Sequence, residues 1–184
     1  MIYFFTPYSF DKKLFEAYDL YMNLISDPHD WVCFMDGDVL FLISDFGHQM
    51  QTYIDKYPDA GLFTCYASRT SRPELKWKGA DMENPSLIYH RTKAEQLYAA
   101  YNGQVVDLGE LNCLGYLMLI RKSTWLLIRD QVKEWTKEKN ILGVDTRISK
   151  AIRKAGLKSY LMKGMYVLHY YRMKNGEKDK SILM

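Results

Sequence analysis

Short apolar runs that alternate with amphipathic segments are the feature that most constrains the fold of this sequence. Apolar runs at residues 2–6, 31–35 and 60–65 indicate buried strands, because a strand covered on both faces is apolar along its length. Segments with apolar residues at helical spacing follow the first two runs and end at Pro28 and Pro58. This alternation predicts βαβ crossovers and an α/β fold with a mainly parallel central sheet flanked by helices.

The second half of the chain departs from this regular alternation. Residues 66–90 are rich in Ser, Arg, Pro, Lys and Gly around Trp77, which predicts a long irregular loop of the kind that often contacts substrate. The elements predicted after it are a helix near 91–101, a strand over 112–120, a helix capped by Ser123, a helix between Gly143 and Gly156, and short strands at 159–161 and 166–168. His169 lies at the end of the last predicted strand.

Composition limits the class of protein. The length of 184 residues suits one compact domain, and a hydrophobic content of 48% excludes a disordered chain. Cys33, Cys65 and Cys113 each lie among apolar residues, so buried thiols are expected rather than disulfides or a zinc site. The first residues do not resemble a signal peptide, and no apolar stretch reaches membrane-spanning length. We therefore expect a cytoplasmic protein.

Basic residues are concentrated towards the C-terminus. The net charge is only +3, but residues 150–180 contain nine Lys or Arg against Glu177 and Asp179. This segment is either a solvated basic face or a cationic patch that could meet phosphates or an anionic membrane surface. Nucleic-acid binding is not expected, because the patch contains no recognised binding motif and the overall charge is modest.

The segment Asp36-Gly37-Asp38 places two carboxylates where a buried strand reaches the surface. Two hard oxygen ligands one residue apart can share one divalent cation, and that cation can neutralise a diphosphate. Asp-Gly is also a common hairpin signal, so a simple turn is the alternative interpretation.

Other polar residues lie at comparable positions. Thr6 and Tyr8 follow the first strand, where they could contact a nucleotide, although an aromatic at a strand end is as often packing. Asp145 at a predicted helix start suits a helix N-cap or a catalytic carboxylate. His169 suits a structural histidine or a metal ligand.

Taken together, the segments 6–8, 34–38, 113–121, 143–147 and 167–169 resemble, in order and spacing, a GT-A glycosyltransferase of the family-2 type. The resemblance implies a Rossmann-like domain over residues 1–172 and leaves a basic tail at residues 173–184. Each motif alone is weak, so the specificity lies in the ordered set.

The resemblance also implies roles for individual residues. Asp38 would be the direct ligand of Mn²⁺ or Mg²⁺, Asp36 a ligand directly or through water and ribose, and His169 the distal ligand. Asp145 takes the position of the aspartate that deprotonates the acceptor hydroxyl in inverting members. Arg172 is the expected diphosphate contact. Arg69 and Lys163 are further candidates for that contact.

Two departures from the family pattern bear on this assignment. Val144 stands where the family usually has an acidic residue before the catalytic aspartate. One helix, roughly Asp11 to Ile25, spans a gap that usually holds two βα units, so the nucleotide pocket is abbreviated. Tyr8 would then stack on the base, and Thr6 would bond to the ribose.

The expected activity is metal-dependent transfer of a sugar from a nucleoside diphosphate sugar, with a UDP-sugar favoured, to a hydroxyl of a glycan or lipid-linked acceptor. Inversion at the sugar carbon is expected, and the segment from Arg69 to Tyr89 would frame the acceptor. One alternative is a non-catalytic nucleotide- or glycan-binding module. Another is a phosphohydrolase of the haloacid dehalogenase type, with Asp36 as nucleophile. The later lysine and acidic motif of that class cannot be placed in this sequence.

Overall fold

A computed structural model describes residues 1–8, 13–136 and 143–170 of the chain. Strands and helices alternate over residues 2–67 as the apolar pattern predicts, apart from one further strand at Val39–Phe41, and all the elements form an α/β fold. The elements are β1 (Ile2–Phe5), α1 (Leu14–Asn23), β2 (Trp31–Met35), β3 (Val39–Phe41), α2 (Phe46–Lys56), β4 (Ala60–Ala67), a 3₁₀ helix (Pro73–Leu75), α3 (Leu87–Tyr101), β5 (Val105–Asp107), β6 (Leu117–Arg121), α4 (Lys122–Thr136), α5 (Val144–Lys154) and β7 (Lys158–His169).

The seven strands form a mixed sheet with the order β1-β2-β6-β4-β7-β3, and β5 pairs with β7. Strands β1 and β2 are parallel. The pairs β2 with β6, β4 with β6, and β3 with β7 are antiparallel. The α/β class is therefore confirmed and the sheet is mixed, while the expectation that its strands are mainly parallel stays a prediction. A central strand is apolar on both faces in either orientation, so the apolar runs could not reveal the direction of their neighbours.

The chain divides into two compact units that interleave along the sequence. Unit 1 contains Met1–Gly37, Tyr57–Thr64 and Asp107–Tyr160. Unit 2 contains Asp38–Lys56, Cys65–Val106 and the residues from Leu161 onwards. The single domain over residues 1–172 stays a prediction.

The core of unit 1 is formed by β2, β6 and the helices α1 and α4. The residues Val32 to Phe34 and Leu117 to Ile120 are completely buried. Tyr18 of α1 packs edge-on against Phe34, with ring centroids 4.5 Å apart. Burial of these large side chains fixes the end of β2 against β6, where Asp36 follows.

A polar clamp joins α1 to α4 beside this core. Asp19 accepts hydrogen bonds from Arg129 at 2.6 and 3.0 Å and from the indole N–H of Trp125 at 3.0 Å. Lys122 is almost completely buried, and its ammonium group donates to the carbonyl of Met22 at 2.6 Å. The clamp satisfies charged groups that would otherwise be costly to bury, and it holds α1 in place.

Unit 2 has a hydrophobic cluster of Leu42, Ala94, Leu97, Tyr166 and Leu168, against which Trp77 packs. The irregular segment before α3 is held to this cluster by a buried histidine. His90 Nε2 lies 2.7 Å from the carbonyl of Asn84, and its Nδ1 lies 2.7 Å from the Tyr166 hydroxyl. Because a carbonyl only accepts, Nε2 carries the hydrogen and Nδ1 accepts from Tyr166.

Several predicted elements differ in their bounds. The two short C-terminal strands are one strand of 12 residues, and the strand predicted over 112–120 begins only at Leu117. Ser123 does not cap a helix, because α4 begins at Lys122 directly after β6 and the Ser123 N–H donates to Pro28. The three cysteines are completely buried and form no disulfide, which confirms the prediction of buried thiols. Among the described residues, no helix is both long and apolar enough to cross a membrane.

We predict that Gly164→Ala destabilises the protein. A β-carbon on Gly164 would lie 2.7 Å from the backbone nitrogen and the α-carbon of Asn102, and a backbone cannot move as a side-chain end can. The expected loss in free energy of unfolding is about 1–3 kcal/mol, measured by urea denaturation. Gly47→Ala is the matched control, because a β-carbon on Gly47 in α2 meets nothing within 4 Å. Equal stability of the two variants would contradict the packing argument.

Candidate metal centre

The segment Asp36-Gly37-Asp38 leads from β2 into β3. The Asp36 N–H donates to the carbonyl of Tyr116 at 3.2 Å, which continues the pairing of β2 with β6 by one residue. Strand β2 pairs with β1 and β6, whereas β3 pairs with β7. Gly37 and Asp38 therefore form a turn, as the alternative interpretation of Asp-Gly has it, but this turn does not join two paired strands of a hairpin. Asp36 is exposed, and Asp38 is partly buried.

His169 reaches Asp38 through the antiparallel pairing of β3 with β7. Val39 is opposite His169 in this ladder, and the Tyr170 N–H donates to the carbonyl of Asp38 at 3.0 Å. The Nε2 atom of His169 then lies 3.3 Å from Asp38 Oδ1. Ser68 fixes the backbone of His169, because its hydroxyl accepts from the His169 N–H at 2.9 Å and donates to the carbonyl at 3.2 Å.

The tautomer of His169 follows from its second ring nitrogen. Nδ1 lies 2.8 Å from the carbonyl oxygen of Arg69, and since a carbonyl only accepts, Nδ1 carries a hydrogen. In a neutral imidazole Nε2 would then present a lone pair to the Asp38 carboxylate. Two acceptors at this distance need a proton or a cation between them. Metal-ligating histidines commonly donate their other N–H to a carbonyl in this way.

The contact changes the acidity of Asp38. When His169 is protonated, its Nε2–H donates to the Asp38 carboxylate, and this hydrogen bond lowers the pKa of the Asp38 carboxyl below its usual value, against the opposing effect of partial burial. The carboxylate form, which is the form that binds metals, is therefore favoured.

Asp36, Asp38 and His169 each offer one ligand atom, and these three atoms lie within 4.8 Å of one another. Two carboxylate oxygens and one imidazole nitrogen form a donor set that suits Mn²⁺ or Mg²⁺. The structure thus brings together the three residues that the sequence predicts as metal ligands. Metal binding itself stays a prediction.

Asp145 lies in the first turn of α5, in unit 1. Gly143, with φ 101°, is the N-cap of this helix, so the interpretation of Asp145 as the N-cap is wrong. Asp145 Oδ1 accepts from the Thr146 N–H at 2.7 Å, and Oδ2 accepts from the Gly115 N–H at 3.1 Å. These two bonds hold the carboxylate in one orientation at the start of the helix.

Tyr18 is a functional candidate that sequence reasoning missed. Its side chain is 5% exposed, and burial, followed by the charges of Asp145 and Asp36, raises the pKa of its hydroxyl. The hydroxyl therefore stays protonated and can donate a hydrogen bond. In the sequence Tyr18 belongs to an apolar helical stripe, and that pattern gives no sign of a polar role.

Of the three residues expected to contact the nucleotide, two are exposed near the end of β1 and one lies outside the described residues. Thr6 is exposed and close to the turn, since a β-carbon on Gly37 would lie 3.6 Å from its methyl group. Tyr8 is 73% exposed. Arg172 and the basic tail lie outside the described residues. The structure therefore leaves the role of these residues a prediction.

The two further candidates for a diphosphate contact have other partners. The guanidinium of Arg69 pairs with Glu83 at 3.1 Å, while its carbonyl accepts from His169. Lys163 lies over the ring of Tyr101, 4.4 Å from its centroid. It precedes His169 by six residues in β7, which is about 20 Å along a strand. Lys163 is thus not at the metal ligands.

The irregular segment of unit 2 forms a groove of about 410 Å³. Its lining includes Pro73, Lys76, Trp77, Lys78, Asp81 and Glu83. A β-carbon on Gly79 would lie 2.5 Å from Trp77 Cζ2, so this position needs glycine for the close approach. Trp77 also meets Tyr166 edge-on at 5.8 Å. The indole therefore both packs on the cluster and lines the groove.

Comparison with known proteins adds no family assignment. No protein-family model matches the sequence, and no curated protein is significantly similar to it.

We predict that Mn²⁺ stabilises the native protein through Asp38 and His169. A ligand that binds only the folded state raises its stability, by about 2.7 kcal/mol at one hundred times the dissociation constant. The melting temperature, measured with Mn²⁺ and with a chelator, is expected to rise with the metal in the native protein and much less in Asp38→Asn and His169→Gln.

An exposed pair in unit 2 provides the matched control. His48 and Asp45 are 4.0 Å apart, with 88% and 59% of their side-chain surfaces exposed. Asp45→Asn and His48→Gln are expected to keep the native response. An identical response to Mn²⁺ in Asp38→Asn and the native protein would exclude the site.

Proposed function

We propose that this protein is a metal-dependent glycosyltransferase that moves a sugar from a nucleoside diphosphate sugar to an acceptor hydroxyl. The observation that carries the proposal is the placement of His169 Nε2 against Asp38, with Nδ1 donating to the carbonyl of Arg69. Asp36 adds a third ligand atom. This geometry agrees with the ordered motifs that resemble the GT-A family.

The proposed chemistry divides between two groups of residues. Asp36, Asp38 and His169 would hold the Mn²⁺ or Mg²⁺ ion, which offsets the negative charge that grows on the leaving diphosphate. Asp145 would accept the proton of the acceptor hydroxyl while its oxygen bonds to the sugar carbon. The bond from that carbon to the diphosphate oxygen breaks, and its electron pair leaves with the nucleotide. Attack on the face opposite the leaving group gives inversion.

The carboxylate of Asp145 is suited to this role by its fixed orientation. Two backbone N–H groups hold it in one orientation, which reduces the cost of positioning a base. A weak base can act when the attacking hydroxyl becomes acidic in the transition state. Val144, which stands where the family usually has an acidic residue, is buried, so its side chain belongs to the hydrophobic core.

The donor and acceptor sides of the proposal rest on fewer contacts. Thr6 and Tyr8 would contact the ribose and base of the donor, with a UDP-sugar favoured, and Arg172 the diphosphate. The groove around Trp77 would receive a glycan or a lipid-linked sugar, because pockets of a few hundred cubic ångströms suit ligands of one or two rings.

The direct test is nucleoside diphosphate release from a panel of UDP-, GDP- and dTDP-sugars, with and without Mn²⁺. We expect metal-dependent release from one donor, reduced by about one hundredfold or more in Asp38→Asn because the leaving group loses its counter-charge. Asp45→Asn, with an exposed carboxylate, should match the native protein.

Two outcomes would replace the proposal. Metal-dependent nucleotide binding with no release from any donor would favour a non-catalytic nucleotide-binding module. A phosphoaspartate trapped at Asp36 during phosphate-ester hydrolysis would favour a phosphohydrolase.

The acceptor groove makes a separate prediction. An aromatic face can pack against a sugar ring, and such a contact is worth about 1 kcal/mol, so Trp77→Ala should raise the acceptor KM about five- to tenfold. The donor KM should not change. Trp135→Ala is the control, because Trp135 is also partly buried but lies in α4 beneath Lys154. An unchanged acceptor KM in Trp77→Ala would exclude the groove as the acceptor site.

A further inference from the structure

Two large aliphatic side chains are exposed side by side at the start of α3, in unit 2. Leu87 is 48% exposed and Ile88 is 78% exposed, which makes Ile88 the most exposed large hydrophobic side chain among the described residues. We call this pair the α3 tip. A helix that packs on a core turns its apolar residues inwards, as Ala94 and Leu97 of α3 do. The α3 tip therefore lies outside the apolar face of its own helix.

The α3 tip is held in its exposed position by hydrogen bonds. Ser86 caps the helix, because its hydroxyl accepts from the Tyr89 N–H at 3.2 Å. The Ser86 N–H donates to the side-chain oxygen of Asn84 at 2.9 Å, and Nε2 of the buried His90 donates to the Asn84 carbonyl at 2.7 Å. The exposure of the tip is thus a property of an ordered helix start.

The groups beside the tip match the boundary between the headgroups and the acyl chains of a bilayer. Tyr89 follows Ile88 directly, and the ammonium group of Lys93 lies 5.6 Å from the centre of the Tyr89 ring. The Tyr89 hydroxyl accepts from the Asp81 N–H at 2.7 Å, so the tip adjoins the groove that contains Trp77. Tyrosine and tryptophan are enriched at this boundary, and a lysine can extend its ammonium group to the headgroups while its stem lies on apolar surface.

The charge around the tip favours anionic lipid. Glu83 pairs with Arg69 at 3.1 Å, and Glu95 pairs with Arg91 at 3.0 Å, so these two acidic residues are neutralised. The other basic residues of segment 72–95 outnumber its other acidic residues; they are Arg72, Lys76, Lys78 and Lys93 against Glu74 and Asp81. Basic residues beside a bilayer are attracted to anionic headgroups.

A second copy of the chain fits this surface less well than a bilayer does. The exposed part of the tip is on the order of 100–200 Å², whereas a stable protein interface covers about 800 Å² on each partner. A two-fold contact through the tip would also bring the same basic residues of both copies together. A bilayer needs no complementary partner surface and can receive a small apolar projection.

We propose that the α3 tip docks the protein on the surface of a bilayer that contains anionic lipid, with Leu87 and Ile88 in the boundary between headgroups and acyl chains. The inference goes beyond the proposed function and does not depend on it, because the contact involves neither the metal ligands nor Asp145. It also differs from a membrane contact through the basic C-terminal segment, because binding through the tip includes an apolar contribution.

Cosedimentation with vesicles tests the α3 tip in the full chain. Vesicles of phosphatidylcholine alone and of equimolar phosphatidylcholine and phosphatidylglycerol are compared. We expect the native protein to prefer the anionic vesicles, and the double variant Leu87→Gln/Ile88→Gln to show at least about a tenfold lower partition coefficient, because the apolar contact is lost. Leu20→Gln/Leu24→Gln is the matched control, since these leucines of unit 1 are 61% and 63% exposed, and it should bind as the native protein does.

Two results would overturn the inference. Vesicle binding that is absent in the native protein, or equal in the native protein and the Leu87→Gln/Ile88→Gln variant, would show that the tip does not dock on lipid. Self-association of the native protein without lipid, lost in the same variant, would make the tip a contact between copies.

A dye attached at the tip provides a measurement that does not depend on the double variant. The three native cysteines are completely buried, so a thiol-reactive, environment-sensitive dye should label only the introduced cysteine in Ile88→Cys. We expect its emission to move to shorter wavelength when anionic vesicles are added, because the dye enters an apolar environment. The same dye in Leu24→Cys should not respond. Equal shifts at both positions, or no shift in Ile88→Cys, would contradict docking through the tip.

Discussion

The antiparallel ladder between β3 and β7 is the constraint on which the candidate metal centre depends. It places Val39 opposite His169, so the residue at the end of a long strand meets the residue that begins a short one. Backbone hydrogen bonds between β3 and β7 hold this arrangement, and they form whatever side chains the two strands bear. The carbonyl of Arg69 then orients the imidazole, and Asp38 receives its Nε2. The short strand β3 thus places the carboxylate of Asp38 beside the imidazole of His169.

Asp145, the base proposed for catalysis, is positioned by hydrogen bonds from backbone N–H groups. Asp145 is held by two N–H groups, one from its own helix and one from Gly115, and Ser149 joins the backbone of the two segments. The position that a β-carbon on Gly115 would take lies 3.7–4.0 Å from oxygen atoms of Tyr18, Asp145 and Asp36, so these three side chains meet beside this glycine.

Sequence reasoning was most accurate where one local signal was sufficient. Apolar runs placed β1, β2 and β4, and apolar residues at helical spacing placed α2. The candidate metal ligands Asp36, Asp38 and His169 came from the ordered set of motifs, and their ligand atoms lie within 4.8 Å of one another. Sequence reasoning was less accurate where the structure depends on contacts between residues far apart in the sequence. The antiparallel neighbours of β6 and the continuity of β7 depend on long-range pairing, and Tyr18 looked like one more residue of an apolar stripe.

The sequence by itself determined the α/β class, the buried cysteines and the set of polar residues at strand ends, because hydrophobic periodicity and burial are local properties of the chain. Only the tertiary structure decided which of these residues meet. Strand direction, the tautomer of His169 and the convergence of Tyr18, Asp36 and Asp145 on Gly115 depend on hydrogen bonds and contacts between residues far apart in the chain. The free energy of such contacts depends on three-dimensional distance, which no spacing in the sequence encodes.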